Sequence, residues 1–212
     1  MRRLPVYLLL DVSGSMSGEP IEAVKNGMQI MQSALRRDPY ALESAYLSVI
    51  TFGSSVDQVV PLTEVAQFNP PSLVARGGTP LGAALQKVVE CASRELVKST
   101  KDVKGDWKPL VFIMTDGMPT DDIEPGVKAF NDTKWGIVVG CAAGQGADQK
   151  VLQRLTENIV ILDTADTATI SAYFKWVSSS ISASSKKVDE AGCELGAGEL
   201  PPPPPEISLA KP

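Results

Sequence analysis

The chain contains no histidine. That absence removes Ser-His-Asp and Cys-His catalysis, because both need an imidazole to move the proton of the nucleophile. Cysteine is scarce as well: Cys91, Cys141 and Cys193 are an odd number with no CxxC pair, which argues against a disulfide framework and against a zinc site. Basic clustering is missing, since no Lys/Arg run exceeds two residues and the net charge is −5, so a phosphate-backbone groove is excluded. The apolar run near the N-terminus is too short to span a bilayer, and it is followed by an aspartate instead of a small-residue cleavage site, so a cytoplasmic protein is expected. Neither G-x-S-x-G nor a P-loop is present.

What is present suits one sizeable α/β domain with an appendage. Of the 212 residues, 43% are hydrophobic, ordinary for a globular core. Residues 1–188 are expected to form the domain, and 189–212, Gly- and Pro-rich with an unbroken Pro201–Pro205, a flexible C-terminal tail. Such a proline run favours polyproline II and serves either as a spacer or as a docking peptide.

The run Val6-Tyr7-Leu8-Leu9-Leu10 reads as a strand buried on both faces, ending at Asp11. A helix should open at Pro20 and stop at Asp38-Pro39, its apolar stripe running from Ile21 to Leu35. Ala45–Phe52 is a second strand, and Val56–Leu62, with one polar face, an antiparallel edge. Thr79 is placed to cap a helix that Pro80 opens and Leu81, Leu85 and Val88 continue. Leu110–Met114 is another continuous apolar run, and Thr115-Asp116-Gly117 follows it. Asp121 and Asp122 should cap a short helix toward Phe130. Trp135–Cys141 and Ile159–Leu162 are further strands, with a helix over 148–157 between them. A terminal helix over Thr167–Val188 should carry Ser residues on its outer face, and Cys91 and Cys141 should be core thiols. The expected fold is therefore α/β: a doubly wound, mostly parallel six-stranded sheet with one antiparallel edge and helices on both faces.

Asp11, Ser13, Ser15, Thr79 and Asp116 all fall at carboxyl ends of predicted strands or at a helix amino end, where open α/β sheets hold ligands. Two carboxylates and three hydroxyls are a hard-oxygen set for a divalent cation, with valences left for water or an outside ligand. Adjacent helix amino ends should draw a carboxylate or phosphate toward it. Taken alone, Asp11 is explained equally well as a turn former.

In these segments the sequence resembles the von Willebrand factor A (VWA) family, whose metal-ion-dependent adhesion site (MIDAS) follows DxSxS, a distant Thr and a distant Asp. DVSGS, GGTPLG and TDG supply the three in order, and the resemblance covers about residues 4–185. It implies a Rossmann-like fold with Mg2+, or else Mn2+ or Ca2+, held by Asp11, Ser13 and Ser15, with Thr79 and Asp116 acting directly or through water. Within the family, LLLDVSGSMSGEPI, GGTPLGAAL and FIMTDGMPTDD are similar to bacterial tellurite-resistance (TerY-like) members. Those are associated with a protein kinase and a PP2C-type phosphatase, so the resemblance implies a stress-response module that binds a partner's acidic or phosphate group. Two other classes stay open: an Mg2+-dependent phosphotransfer enzyme using Asp11, although Ser13 replaces the second Asp of the DxD pattern, and a scaffold that the metal merely stabilises.

Overall fold

The computed structural model describes residues 2–194, Gly196 and residues 199–210. Strand β1 (Leu4–Asp11) is buried along its whole length. It lies between β2 (Ala45–Phe52) and β4 (Leu110–Thr115), both parallel to it. Its unbroken apolar run follows from this position, because side chains leaving either face meet a helical layer. Val6, Leu8 and Leu10 pack with α1 (Glu19–Leu35) and α6 (Thr167–Glu190), while Tyr7 and Leu9 pack with α3 (Leu81–Glu95) and α4 (Glu124–Asn131).

The sheet continues through parallel β5 (Val138–Ala143) and β6 (Ile159–Leu162) on one side. On the other side β3 (Val56–Glu64) pairs antiparallel with β2, and alternate residues are exposed as its polar pattern predicts. The complete order is β3-β2-β1-β4-β5-β6-β7. Among the described residues there are seven strands, not the expected six, because β7 (Ser208–Leu209) comes from the proline-rich segment and pairs antiparallel with β6. That segment is anchored. The Trp176 indole N–H donates to the Pro201 carbonyl at 2.8 Å, Leu200 packs on the core, and Ile207 is buried.

Four local expectations are corrected. Asp38-Pro39 ends α1 and also starts a short helix, α2 (Pro39–Ser44), whose first turn is capped by the Asp38 carboxylate accepting from Ala41 N at 3.0 Å. Strand β5 begins at Val138, not Trp135, because Trp135 stacks on Phe130 and donates its indole N–H to the Phe130 carbonyl, which ties it to the end of α4. The helix expected over 148–157, α5 (Gln149–Gln153), stops short, and Thr156 and Asn158 turn their side chains onto the Val138 carbonyl. The serines of α6 divide between its faces: Ser179 is exposed and Ser171 and Ser182 are half-buried, but Ser178, Ser180, Ser184 and Ser185 are buried. Ser180 and Ser184 satisfy their hydroxyls on the carbonyl four residues earlier, which lets small side chains pack inward.

Candidate metal centre

Three loops meet at the carboxyl edge of the sheet. The first follows β1 and runs as a 3-10 turn, Gly14–Met16. The second, residues 76–80, precedes α3, and the third, residues 116–121, follows β4. Backbone bonds lock them together: Arg76 N donates to Val12 O at 2.7 Å, and Gly14 N to Gly77 O at 2.9 Å. Gly77 has φ +82°, and a Cβ there would strike Ser54, so this crossing requires glycine. Thr79 and Thr120 clasp each other, Thr79 N donating to Thr120 Oγ1 at 2.9 Å and Thr120 N to Thr79 O at 3.0 Å.

Four of the five predicted site residues lie on these loops, and Asp11 is the last residue of β1. Asp11 and Ser13 are buried, as is Thr79; Asp116 is half-buried, and Ser15 is exposed. Asp11 Oδ1 accepts from Ser13 N at 2.8 Å, and its Oδ2 accepts from the Thr115 hydroxyl at 2.6 Å. The Ser13 and Ser15 hydroxyls bond to one another at 2.9 Å, and Ser15 Oγ donates to Asp116 Oδ1 at 2.7 Å. A chain of oxygens thus runs from Ser13 to Asp116. Thr79 approaches from the second loop, for a Cβ built on Gly117 would lie 3.4 Å from Thr79 Oγ1 and 3.9 Å from Ser15 Oγ. The Thr79 hydroxyl has no hydrogen-bond partner among the described residues.

Burial pushes the Asp11 carboxyl above the ordinary carboxylate range, against the opposing help of Ser13 and Thr115. Asp116 is raised for the same reason; the Ser15 hydroxyl works against the rise, and the charge of Asp11 adds to it. Among the described residues neither carboxylate pairs with a Lys or Arg. The donor set consists of carboxylate and hydroxyl oxygens, and no three His, Cys, Asp or Glu side chains gather among the described residues. Two poorly solvated carboxylates without a basic partner, ringed by hydroxyls and open to solvent on one side, fit a hard divalent cation and would be relieved by it.

Asp121 behaves differently from its sequence expectation. Instead of capping its own helix it reaches across to α3, accepting from Gly82 N at 3.1 Å and Ala83 N at 2.8 Å. Asp122 stays local and accepts from Glu124 N. Thr79 therefore does not cap α3, and its hydroxyl is left for the site. The amino ends of both neighbouring helices are already compensated, α3 by Asp121 and α1 by Glu19 and Glu22 in its first turn. They are not free to draw an anion. Sequence reasoning also missed Thr115 as the partner of Asp11, although a polar residue closing a wholly apolar strand is the signal that marks it.

Residues 6–172 match the von Willebrand factor type A domain. Solved structures of similar fold include a von Willebrand factor type A protein from Catenulispora acidiphila, at 15% identity and TM-score 0.64, with 85% of this chain and 43% of that one covered. Proximal thread matrix protein 1 from the mussel byssus, solved with a zinc-occupied MIDAS motif, aligns at 17% identity and TM-score 0.57 over 84% and 48%. The manganese-loaded TRAP protein of Plasmodium vivax aligns at 19% and 0.53 over 81% and 71%. The chain spans less than half the length of the first two, and at these identities the likeness is one of fold. No curated protein matches the chain in sequence.

Proposed function

The chain belongs to the von Willebrand factor type A family, and from that premise we propose that Asp11, Ser13, Ser15, Thr79 and Asp116 hold a divalent cation through which a partner protein is bound. Mg2+ is the first choice, ahead of Mn2+ and Ca2+, because an all-oxygen set of two carboxylates and three hydroxyls on interlocked loops suits a small hard ion. A bound cation supplies an open valence for a carboxylate or phosphate from the partner. The chain's part is to hold the oxygens in place. Asp11 is fixed by Ser13 and Thr115, and Thr79 is kept free because Asp121 does the capping.

The observation that carries this reading is the pair of carboxylates, Asp11 and Asp116, raised by burial, linked through Ser13 and Ser15, and lacking a basic partner among the described residues. The module binds and does not catalyse; no phosphoester turnover is expected when Mg2+ is supplied. The motif similarity to tellurite-resistance members supports a bacterial stress-response setting in the cytoplasm, with a protein kinase or a PP2C-type phosphatase as the partner. None of the described helices is long and apolar enough to cross a membrane.

The decisive test is capture of partners from native lysate with and without EDTA, repeated with Asp11→Ala and Thr79→Ala. Partners lost on chelation and with both variants, while circular dichroism is unchanged, support the proposal. Identical capture throughout overturns it.

A further inference from the structure

At the opposite end of the sheet, where β1 and β4 begin and α3 ends, a groove of about 690 Å3 opens on the surface. Its floor is apolar: Val89, Ala92, Leu96, Trp107 and Pro109. The connection from α3 to β4 forms one wall and raises two exposed apolar side chains, Val97 at 54% exposure and Val103 at 64%. The volume lies in the range of a ligand site, and exposed apolar residues around such a hollow mark a contact surface.

The wall is already built. Asp106 N donates to Val97 O at 2.9 Å, Val97 N to the Asp106 carboxylate at 2.8 Å, and Gly105 N to Ser99 Oγ at 2.9 Å. Arg2 holds it from below, donating to the Gly105 carbonyl at 2.7 Å while its guanidinium lies 3.5 Å over the Trp107 ring. Little ordering is left for a partner to induce.

The charge of this rim runs against that of the molecule. The chain carries −5 overall, yet Lys98 and Lys134 line the groove, and Lys101 and Lys104 are exposed farther along the α3–β4 connection. None of the four has a carboxylate partner among the described residues. The neighbouring acid Asp106 is held by Arg3 at 2.6 Å, and Lys108 is occupied by Glu194 at 2.9 Å, leaving Asp102 as the uncommitted acid of the loop. An occupant must therefore bring apolar side chains for the floor and negative charge for the rim. The proline-rich segment of this chain is seated elsewhere, on Trp176 and β6. A flat anionic surface would meet the lysines but leave the floor unfilled.

We propose that this groove docks an acidic amphipathic segment of a partner protein, independently of the candidate metal centre. The chain then has two docking ends, one at each edge of the sheet.

The probe is a fluorescein-labelled peptide of Leu and Glu in amphipathic order, followed by anisotropy against the full chain in EDTA. Saturable binding is expected, weakened roughly tenfold or more by Lys98→Glu/Lys134→Glu and by added salt. Val97→Asp, a change at an exposed position, should weaken it as well, and Asp11→Asn should not. A matched Leu/Lys peptide should not bind. The proposal is overturned by no binding, by equal binding of the Leu/Lys peptide, by indifference to both groove variants, or by binding of phosphatidylglycerol vesicles without binding of the peptide. Because the assay excludes divalent ions, its failure would leave the metal reading untouched.

Discussion

Replacing Asp11 by Asn separates the fold's needs from those of the site. Asn keeps the shape and the acceptor for Ser13 N, and its amide can donate to the Thr115 hydroxyl in place of the bond now running the other way. What it removes is a charge that burial disfavours. In the metal-free protein the raised pKa of Asp11 means that the folded state binds the proton more tightly than the unfolded chain does. That contribution is fully present below the unfolded value and is lost as pH rises through the folded one. At pH 7 the ionised carboxylate is therefore a liability, and each tenfold change in the protonation equilibrium corresponds to about 1.4 kcal/mol. Asp11→Asn is expected to raise Tm in EDTA at pH 7 above that of the wild type. The advantage should vanish as pH falls and the wild-type carboxyl protonates. Millimolar Mg2+ should reverse the order, since a ligand at a hundredfold excess over its Kd adds about 2.7 kcal/mol to the wild type alone. Thermal melts of both proteins, with EDTA or Mg2+ at pH 4.5 and 7, decide the matter. If Asp11→Asn is the less stable protein in EDTA at pH 7, or if Mg2+ stabilises both equally, the electrostatic reasoning fails.

Asp121→Ala should cost about 1 kcal/mol by uncapping α3, and should also weaken Mg2+ binding by freeing the Thr79 loop; denaturant melts and calorimetric titration read the two effects separately. Gly27→Ala should destabilise by roughly 1–3 kcal/mol, because its Cβ would sit 2.3 Å from the Phe174 ring where α1 crosses α6; unchanged thermal stability would refute that packing. Trp176→Phe removes the donor to Pro201 and should speed amide exchange at Ile161 and Ala210, whose N–H groups face the β6–β7 ladder, while leaving β1 protected.

The central strands, and the placement of the five candidate site residues at the sheet's carboxyl edge, were legible because their signals are local. β1 and β4 are continuous apolar runs, and each is followed within a residue or two by a carboxylate. The rest depends on partners far away in the chain. Asp121 looks like a cap for the helix beside it, and the tertiary fold alone brings it to α3, about forty residues earlier. Proline composition argues for an extended spacer, yet Trp176 and the free edge of β6 offer the segment one carbonyl bond and a two-residue ladder, enough to seat it. Ser178, Ser180 and Ser184 of α6 were misplaced because a polar side chain that bonds its own helix can be buried at little cost.

The bond from Asp121 to the start of α3 has a consequence for how the candidate metal centre would respond to its surroundings. With that helix end neutralised and α1 opening on two glutamates, neither helix end adds positive potential beside Asp11 and Asp116. On the function proposed above, an acidic partner would meet two uncompensated carboxylates at the empty centre, and the ion would reverse that charge. The two binding events are then thermodynamically linked, so the partner must tighten the ion by the same factor by which the ion tightens the partner. An arrangement of this kind reads the coincidence of two ligands and answers weakly to either one alone.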